Sequence, residues 1–326
     1  MRNASASAAA ANLARLTGNL RQLAAVRRIT LEDGPARGLR ALAFSTGGGL
    51  DFWVFEDRAM DIGPVWFAGT PIAFEHPNGY VARGIVSPED DDGTGVERLV
   101  SGFLVTCGLE HVRQPAPGRP LHGTMTLTPA RLTAHGEDWD AAEPVLFAEG
   151  EVVSAHLNGA SFRLRRRITA PIGGRRLTIA DRVENIGTAP QELGVLHHFN
   201  FGFPAVNEGT TVRLNGAPVL TVGAVDADAA PAVACHAAGP GARVVAELIR
   251  PPAPPWPGIR IALTSDALAQ PFVQIWTDRR PRRNVLAIEP VTSDRGPGRT
   301  SQPGPVLAPG ERWHTTHDVR FDHPRG

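Results

Sequence analysis

The feature that most restricts the fold is a two-residue rhythm of apolar side chains, repeated in short segments from Arg37 almost to the end of the chain. Leu50, Phe52 and Val54 alternate with Asp51 and Trp53. Phe162, Leu164 and Ile168 alternate with a row of arginines. Leu177, Ile179 and Val183 repeat the pattern, followed by Ile259, Ile261 and Leu263, and finally by Trp313, Thr315, Val319 and Phe321. Successive side chains of a strand point to opposite faces, so each run reads as a strand with one buried and one wet face. The intervals are rich in proline and glycine, as in 115–120, 251–258 and 296–310, which is turn chemistry. Many such strands predict an antiparallel, all-β protein whose large sheets pack face to face.

A helical spacing occurs only near the start, where Leu13, Leu16, Leu20 and Leu23 share one face. Residues 1–23 are therefore expected to form a short N-terminal helix docked on the body. No composition break or internal repeat divides the rest, so the expectation is one domain over 1–326. The acidic run 89–92 does not fit an EF-hand and reads as a solvated loop.

Composition removes several chemistries. The sequence has 33 basic residues and every one is arginine. Without lysine no side chain can form a Schiff base, which excludes pyridoxal phosphate enzymes and imine-forming aldolases. A Walker-type phosphate loop would lack its lysine, and no G-x-G-x-x-G follows a strand to seat a dinucleotide. The formal net charge of +0 argues against a nucleic-acid partner. No run reaches the roughly 18 apolar residues of a membrane span. Cys107 and Cys235 form no C-x-x-C pair, so a cytoplasmic location is expected.

Four places carry the candidate chemistry. In Leu196-His197-His198-Phe199-Asn200 an apolar run ends in adjacent histidines. Strand alternation puts His198 and Asn200 on one face, where they could grip a polyhydroxylated ligand, and leaves His197 structural. A buried histidine satisfied by a backbone carbonyl is the plainer alternative. His122 precedes a glycine and an alternating run, a placement suited to a cleft rim. Glu289 closes the apolar run Val285-Leu286-Ala287-Ile288 just before a proline. A carboxylate there is costly unless paired or used. Desolvation would raise its pKa toward a useful general base, whereas Arg279, Arg280, Arg282 or Arg283 could instead pair with it. Arg58 and Asp61 suit hydroxyl recognition or a mutual ion pair, and Trp276 suits a sugar platform or the core. Two histidines and a glutamate on separate strands could hold a divalent metal or act as a metal-free acid and base. The absence of a His-x-His pair favours the metal-free arrangement.

In their order along the chain, Leu121-His122-Gly123, the run Leu177 to Asn185, His198, Glu289-Pro290 and Leu307-Ala308-Pro309-Gly310-Glu311 resemble the landmarks of the aldose 1-epimerase (galactose mutarotase-like) superfamily, in a bacterial branch of that group. The resemblance spans roughly residues 20–322. It implies a β-supersandwich with an open sugar cleft, Glu289 as base, His198 as acid and His122 holding the ring oxygen or a hydroxyl. It also implies that Trp276 or Gln274 touches the sugar. The family's tyrosine after the acid and its Asn-Arg pair before Leu-His-Gly are absent, so His111 or Arg113 could stand in for the pair. The resemblance implies a metal-independent sugar epimerase or isomerase, with no cofactor, a sugar or sugar derivative as ligand, and a monomer or homodimer. Two alternatives remain open: a non-catalytic carbohydrate-binding protein, and a metal-dependent sugar isomerase with His122, His198 and Glu289 as ligands.

Overall fold

The alternating runs are strands, and the ladders that join them are antiparallel. The structure, a computed structural model, describes residues 12–157, 159–297 and 301–324. A nine-stranded sheet runs in order from Ala217–Thr221 through Thr211–Leu214, Arg243–Arg250, Ile259–Asp266, Arg312–Asp322, Arg176–Asn185, Ser161–Pro171 and Val145–Ala155 to Arg131–Asp138. A five-stranded sheet orders Ala232–Ala237, Phe272–Asp278, Val285–Val291, Gly194–Phe201 and Leu104–Leu109. A five-stranded meander from Ala25–Thr30 to Thr70–Pro71 completes the layers. One apolar cluster takes side chains from each of these three sheets, among them Phe52, Leu164, Ile179, Phe199, Ile288 and Phe321. Each such fully buried side chain contributes about 1.5–3 kcal/mol of apolar burial. Among the described residues no helix is long and apolar enough to cross a membrane.

Period 2 explains most of these strands and also an exception. In Ser161–Pro171 the inward positions are Phe162, Leu164, Arg166, Ile168 and Ala170. Arg166 is thus no part of the wet arginine face; it lies between the layers. Its guanidinium binds both oxygens of Asp181, at 2.8 and 2.7 Å, and reaches Asp61 Oδ1 at 3.2 Å. His197, on the inner face of Gly194–Phe201, donates from Nε2 to Asp181 Oδ2 at 2.8 Å. Its Nδ1 accepts from Gln270 Nε2 at 3.0 Å. Buried charges persist when they are paired and hydrogen-bonded, and this cluster ties the two large sheets together.

The N-terminal expectation changes. Residues 1–11 of that segment lie outside the described residues. Among the described residues helix covers 12–16, and a 3₁₀ turn follows at Leu20–Gln22. Leu16 is 77 % exposed, so the leucine stripe does not dock as a continuous face. The attachment is polar instead: Glu137 Oε1 accepts from Arg21 Nε at 3.1 Å and from the Val26 amide at 2.7 Å.

Candidate active site

Strand register alone lines up the central side chains. In the five-stranded sheet Cys235 pairs with Gln274, Gln274 with Glu289, and His198 with Val105. The Gly194–Phe201 ladder pairs Phe199 with Ile288, which sets His198 beside Glu289. A single transverse row, Cys235–Gln274–Glu289–His198–Val105, therefore crosses the face turned away from the nine-stranded sheet. Trp276, Ala287 and Asn200 form the next row on that face. Phe272, Val291, Leu196 and Cys107 flank it on the other side as an apolar floor.

Glu289 is fully buried, at 0 % exposure. Its Oε2 accepts a hydrogen bond from Gln274 Nε2, while Oε1 has no hydrogen-bond partner among the described residues. His198 Nε2 stands 3.3 Å from that same Oε1, with the imidazole 12 % exposed. Burial pushes the Glu289 carboxyl above the usual carboxylate range, against the pull of His198, Gln274, Arg113 and Arg295. None of the four arginines at 279–283 takes the role of its ion-pair partner: Arg280 pairs with Asp278, and Arg279 Nη2 donates to Gly223 O at 2.9 Å.

His122 comes from a loop rather than a strand. It adopts φ 62° and Gly123 φ 71°. A Cβ on Gly123 would sit 2.6 Å from Gly108 O, so glycine is required for the turn to press against the Leu104–Leu109 strand. The backbone amide of Arg113 donates to His122 Nδ1 at 3.2 Å. The neutral ring then carries its proton on Nε2. Burial, then the nearby His198 and Arg113, hold the His122 imidazole well below the usual histidine range. Its ring lies 5.9 Å from that of His198, edge to face, and His198 lies 5.9 Å from Trp276 on its other side.

The structure thus brings together His122, His198, Gln274, Trp276 and Glu289. His111 is close enough to act on His122 electrostatically, but its Nε2 is held at 2.6 Å by Gln114 O, at the rim. Two other expected ligand contacts are corrected. Asp61 lies on the inner side of Leu104–Leu109, where the Thr106 amide and hydroxyl, Thr126 Oγ1 and Arg166 consume its oxygens. Arg58 is buried and donates to Leu99 O at 2.7 Å and Ser101 O at 3.0 Å. Asn200 shares the face of His198; its amide nitrogen is spent on Val100 O and Gly102 O, both at 3.2 Å, while its Oδ1 has no hydrogen-bond partner among the described residues. Arg58 and Asn200 brace the 99–102 segment. Among the described residues no group of three His, Cys, Asp or Glu side chains is arranged to hold a metal ion.

Arg295 had no signal in the sequence, and Arg113 had only a position near the missing Asn-Arg pair. Both lie on loops, outside any periodicity, and both reach Gln274.

A family profile described as a domain of unknown function, DUF4432, matches residues 36–320. The chain belongs to that family. No curated protein matches it in sequence. In three dimensions this DUF4432 member is similar to a candidate aldose 1-epimerase from Klebsiella pneumoniae, with a TM-score of 0.81 and 19% identity over 94% of this chain and 86% of that one. It is also similar to a galactose mutarotase-like protein from Clostridium acetobutylicum, with a TM-score of 0.58 and 12% identity over 92% and 98% of the two chains. A candidate mutarotase from Salmonella typhimurium matches with a TM-score of 0.58 and 14% identity over 92% and 94%. This DUF4432 member therefore has the galactose mutarotase-like fold, in agreement with the all-β supersandwich expected from its sequence.

Proposed function

We propose that this single-domain chain is a sugar epimerase of the aldose 1-epimerase kind, with Glu289 as base and His198 as acid. The observation that carries this reading is the fully buried Glu289 carboxylate oxygen that has no hydrogen-bond partner among the described residues and stands 3.3 Å from the partly exposed His198 imidazole. Buried polar atoms are ordinarily satisfied, and a bare carboxylate oxygen is a site kept for an incoming hydrogen.

A cyclic sugar supplies that hydrogen from its anomeric hydroxyl. Glu289 Oε1 takes the proton and the anomeric oxygen becomes a carbonyl oxygen. The bond from the anomeric carbon to the ring oxygen breaks, and protonated His198 donates its proton to that oxygen. The open-chain aldehyde turns about its C1–C2 bond. The freed hydroxyl then attacks the opposite face, returning its proton to His198 while Glu289 returns the other to the new anomeric hydroxyl. The reacting pair passes from ion pair to neutral pair and back. Burial disfavours the ion pair, so it narrows the gap to the neutral state. His122, with its proton on Nε2, is suited to donate a hydrogen bond to the ring oxygen or a hydroxyl, and Trp276 offers an apolar wall for a sugar ring. His111 and Gln274 border the same space.

NMR saturation exchange between the anomers of a broad sugar panel tests the reading. Exchange faster than in buffer for at least one sugar is the expected result. Rates equal to buffer across the panel would overturn it.

A further inference from the structure

Glu289 is not free to choose which of its oxygens stands beside His198, and the reason lies two side chains away. Gln274 Oε1 accepts from Arg113 Nε at 3.2 Å and from Arg295 Nη1 at 2.9 Å. A guanidinium donates only, so the amide can present nothing but its oxygen to these two arginines. Its nitrogen is thereby turned toward Glu289 Oε2. The opposite amide orientation would set N–H groups against two cations and a carbonyl against a carboxylate.

Arg113 is itself immobilised. Nη2 donates to Ser293 O at 2.7 Å; Nη1 donates to Ser301 Oγ at 2.8 Å, Asp294 O at 3.0 Å and Ser293 Oγ at 3.3 Å. It is buried. Arg295 comes from the same stretch that clamps Arg113. The orientation of one amide is thus set from the 110–124 loop and from Ser293, Asp294, Arg295 and Ser301, and passed along the strand row to the carboxylate.

Resting on the acid–base reading above, we propose that Gln274 is a positioning residue for Glu289, held by Arg113 and Arg295 so that its N–H engages Oε2 and leaves Oε1 as the one oxygen facing substrate. This device serves two ends. It fixes which lone pairs act as base. It also favours the ionised form of a carboxylate that burial alone would protonate, because a hydrogen bond to the charged form stabilises it. The groups that face Glu289 from the surrounding elements are His198 on its neighbouring strand, Gln274 on the other, Arg113 and Arg295 from the loops, and the Cys107 thiol.

The test replaces the donor while keeping the side-chain length. Gln274→Met is expected to raise the titration midpoint of the Glu289 carboxyl by about one pH unit. The midpoint is read from carboxyl ¹³C NMR of protein labelled in glutamate, with the Glu289 signal identified by its loss in Glu289→Gln. The acid limb of kcat/KM for anomer exchange should move up by the same amount, with activity recovering at higher pH. Arg295→Met, which loosens the amide and leaves Gln274 in place, should shift the midpoint in the same direction by less, and it carries the test if Gln274→Met does not fold. A Glu289 midpoint equal to that of the wild-type protein in the folded variants overturns the proposal. The NMR midpoint needs no turnover, so a wild-type protein that exchanges no sugar would sink the epimerase reading while this measurement still decides the positioning role.

Discussion

Glu289→Gln separates chemistry from architecture more cleanly than any other single change. The substitution keeps shape and volume at a position with no exposure. A carbonyl oxygen in place of Oε2 still accepts from Gln274, and the new amide nitrogen can face His198, so the packing is retained. What disappears is the proton acceptor. A positioned general base is worth about 10²–10⁴-fold, or about 2.7–5.4 kcal/mol of barrier, and anomer exchange should fall by that factor with the sugar Kd little changed. Stability should move the other way. Because burial raises the folded-state pKa of Glu289, the folded protein holds this proton more tightly than the unfolded chain. Wild-type stability therefore declines as pH rises from the unfolded value near 4.3 through the raised folded value. The glutamine variant escapes that decline, and its Tm at neutral pH should equal or exceed that of the wild type. Saturation-exchange NMR and thermal melts at several pH values measure both halves. A variant that exchanges sugar at the wild-type rate refutes the base assignment, and one that loses activity together with its fold refutes the claim that the loss is chemical.

Other outcomes follow from the interior. Asp181→Asn removes the acceptor shared by Arg166 and His197 and leaves a buried guanidinium half-paired; urea unfolding should show a loss of about 3–5 kcal/mol, and a loss under 1 kcal/mol would show the cluster to be dispensable. The His317 and His122 imidazoles are held well below the usual histidine range by burial. The unfolded chain therefore takes up protons that the folded one refuses, and stability should begin to fall as pH drops through about 6.5, by up to about 1.4 kcal/mol per pH unit for each group. His317→Asn should flatten that slope. Asp181, held below the usual carboxylate range by Arg166 despite its burial, adds its own loss only below about pH 3.9. Arg58→Met, which frees the carbonyls of Leu99 and Ser101, should lower Tm while leaving the KM for sugar unchanged; a KM rise without a Tm change would return Arg58 to the ligand.

Much of the architecture was written in local pattern. Period-2 alternation reports which side of a strand meets water, and that is a property of each segment alone, so the strands around Leu164, Ile179, Ile261 and Val319 were legible from the chain. So was the strangeness of Glu289, since a carboxylate ending an apolar run is costly wherever the fold places it. The same local logic separated His197 from His198. It misjudged Arg166, because an inward arginine looks like its outward neighbours until Asp61 and Asp181 arrive from other strands to pair with it. It also offered Arg58 and Asp61 to a ligand, since a side chain's hydrogen-bonding capacity is visible in the sequence while the partners that exhaust it are not. Only tertiary structure could set His198 beside Glu289, which the register of two ladders decides, or bring Arg113 to a glutamine 161 residues away. Burial pattern is encoded residue by residue; a reactive site is a convergence of residues remote in the chain, and that convergence exists only once the sheets have closed on one another.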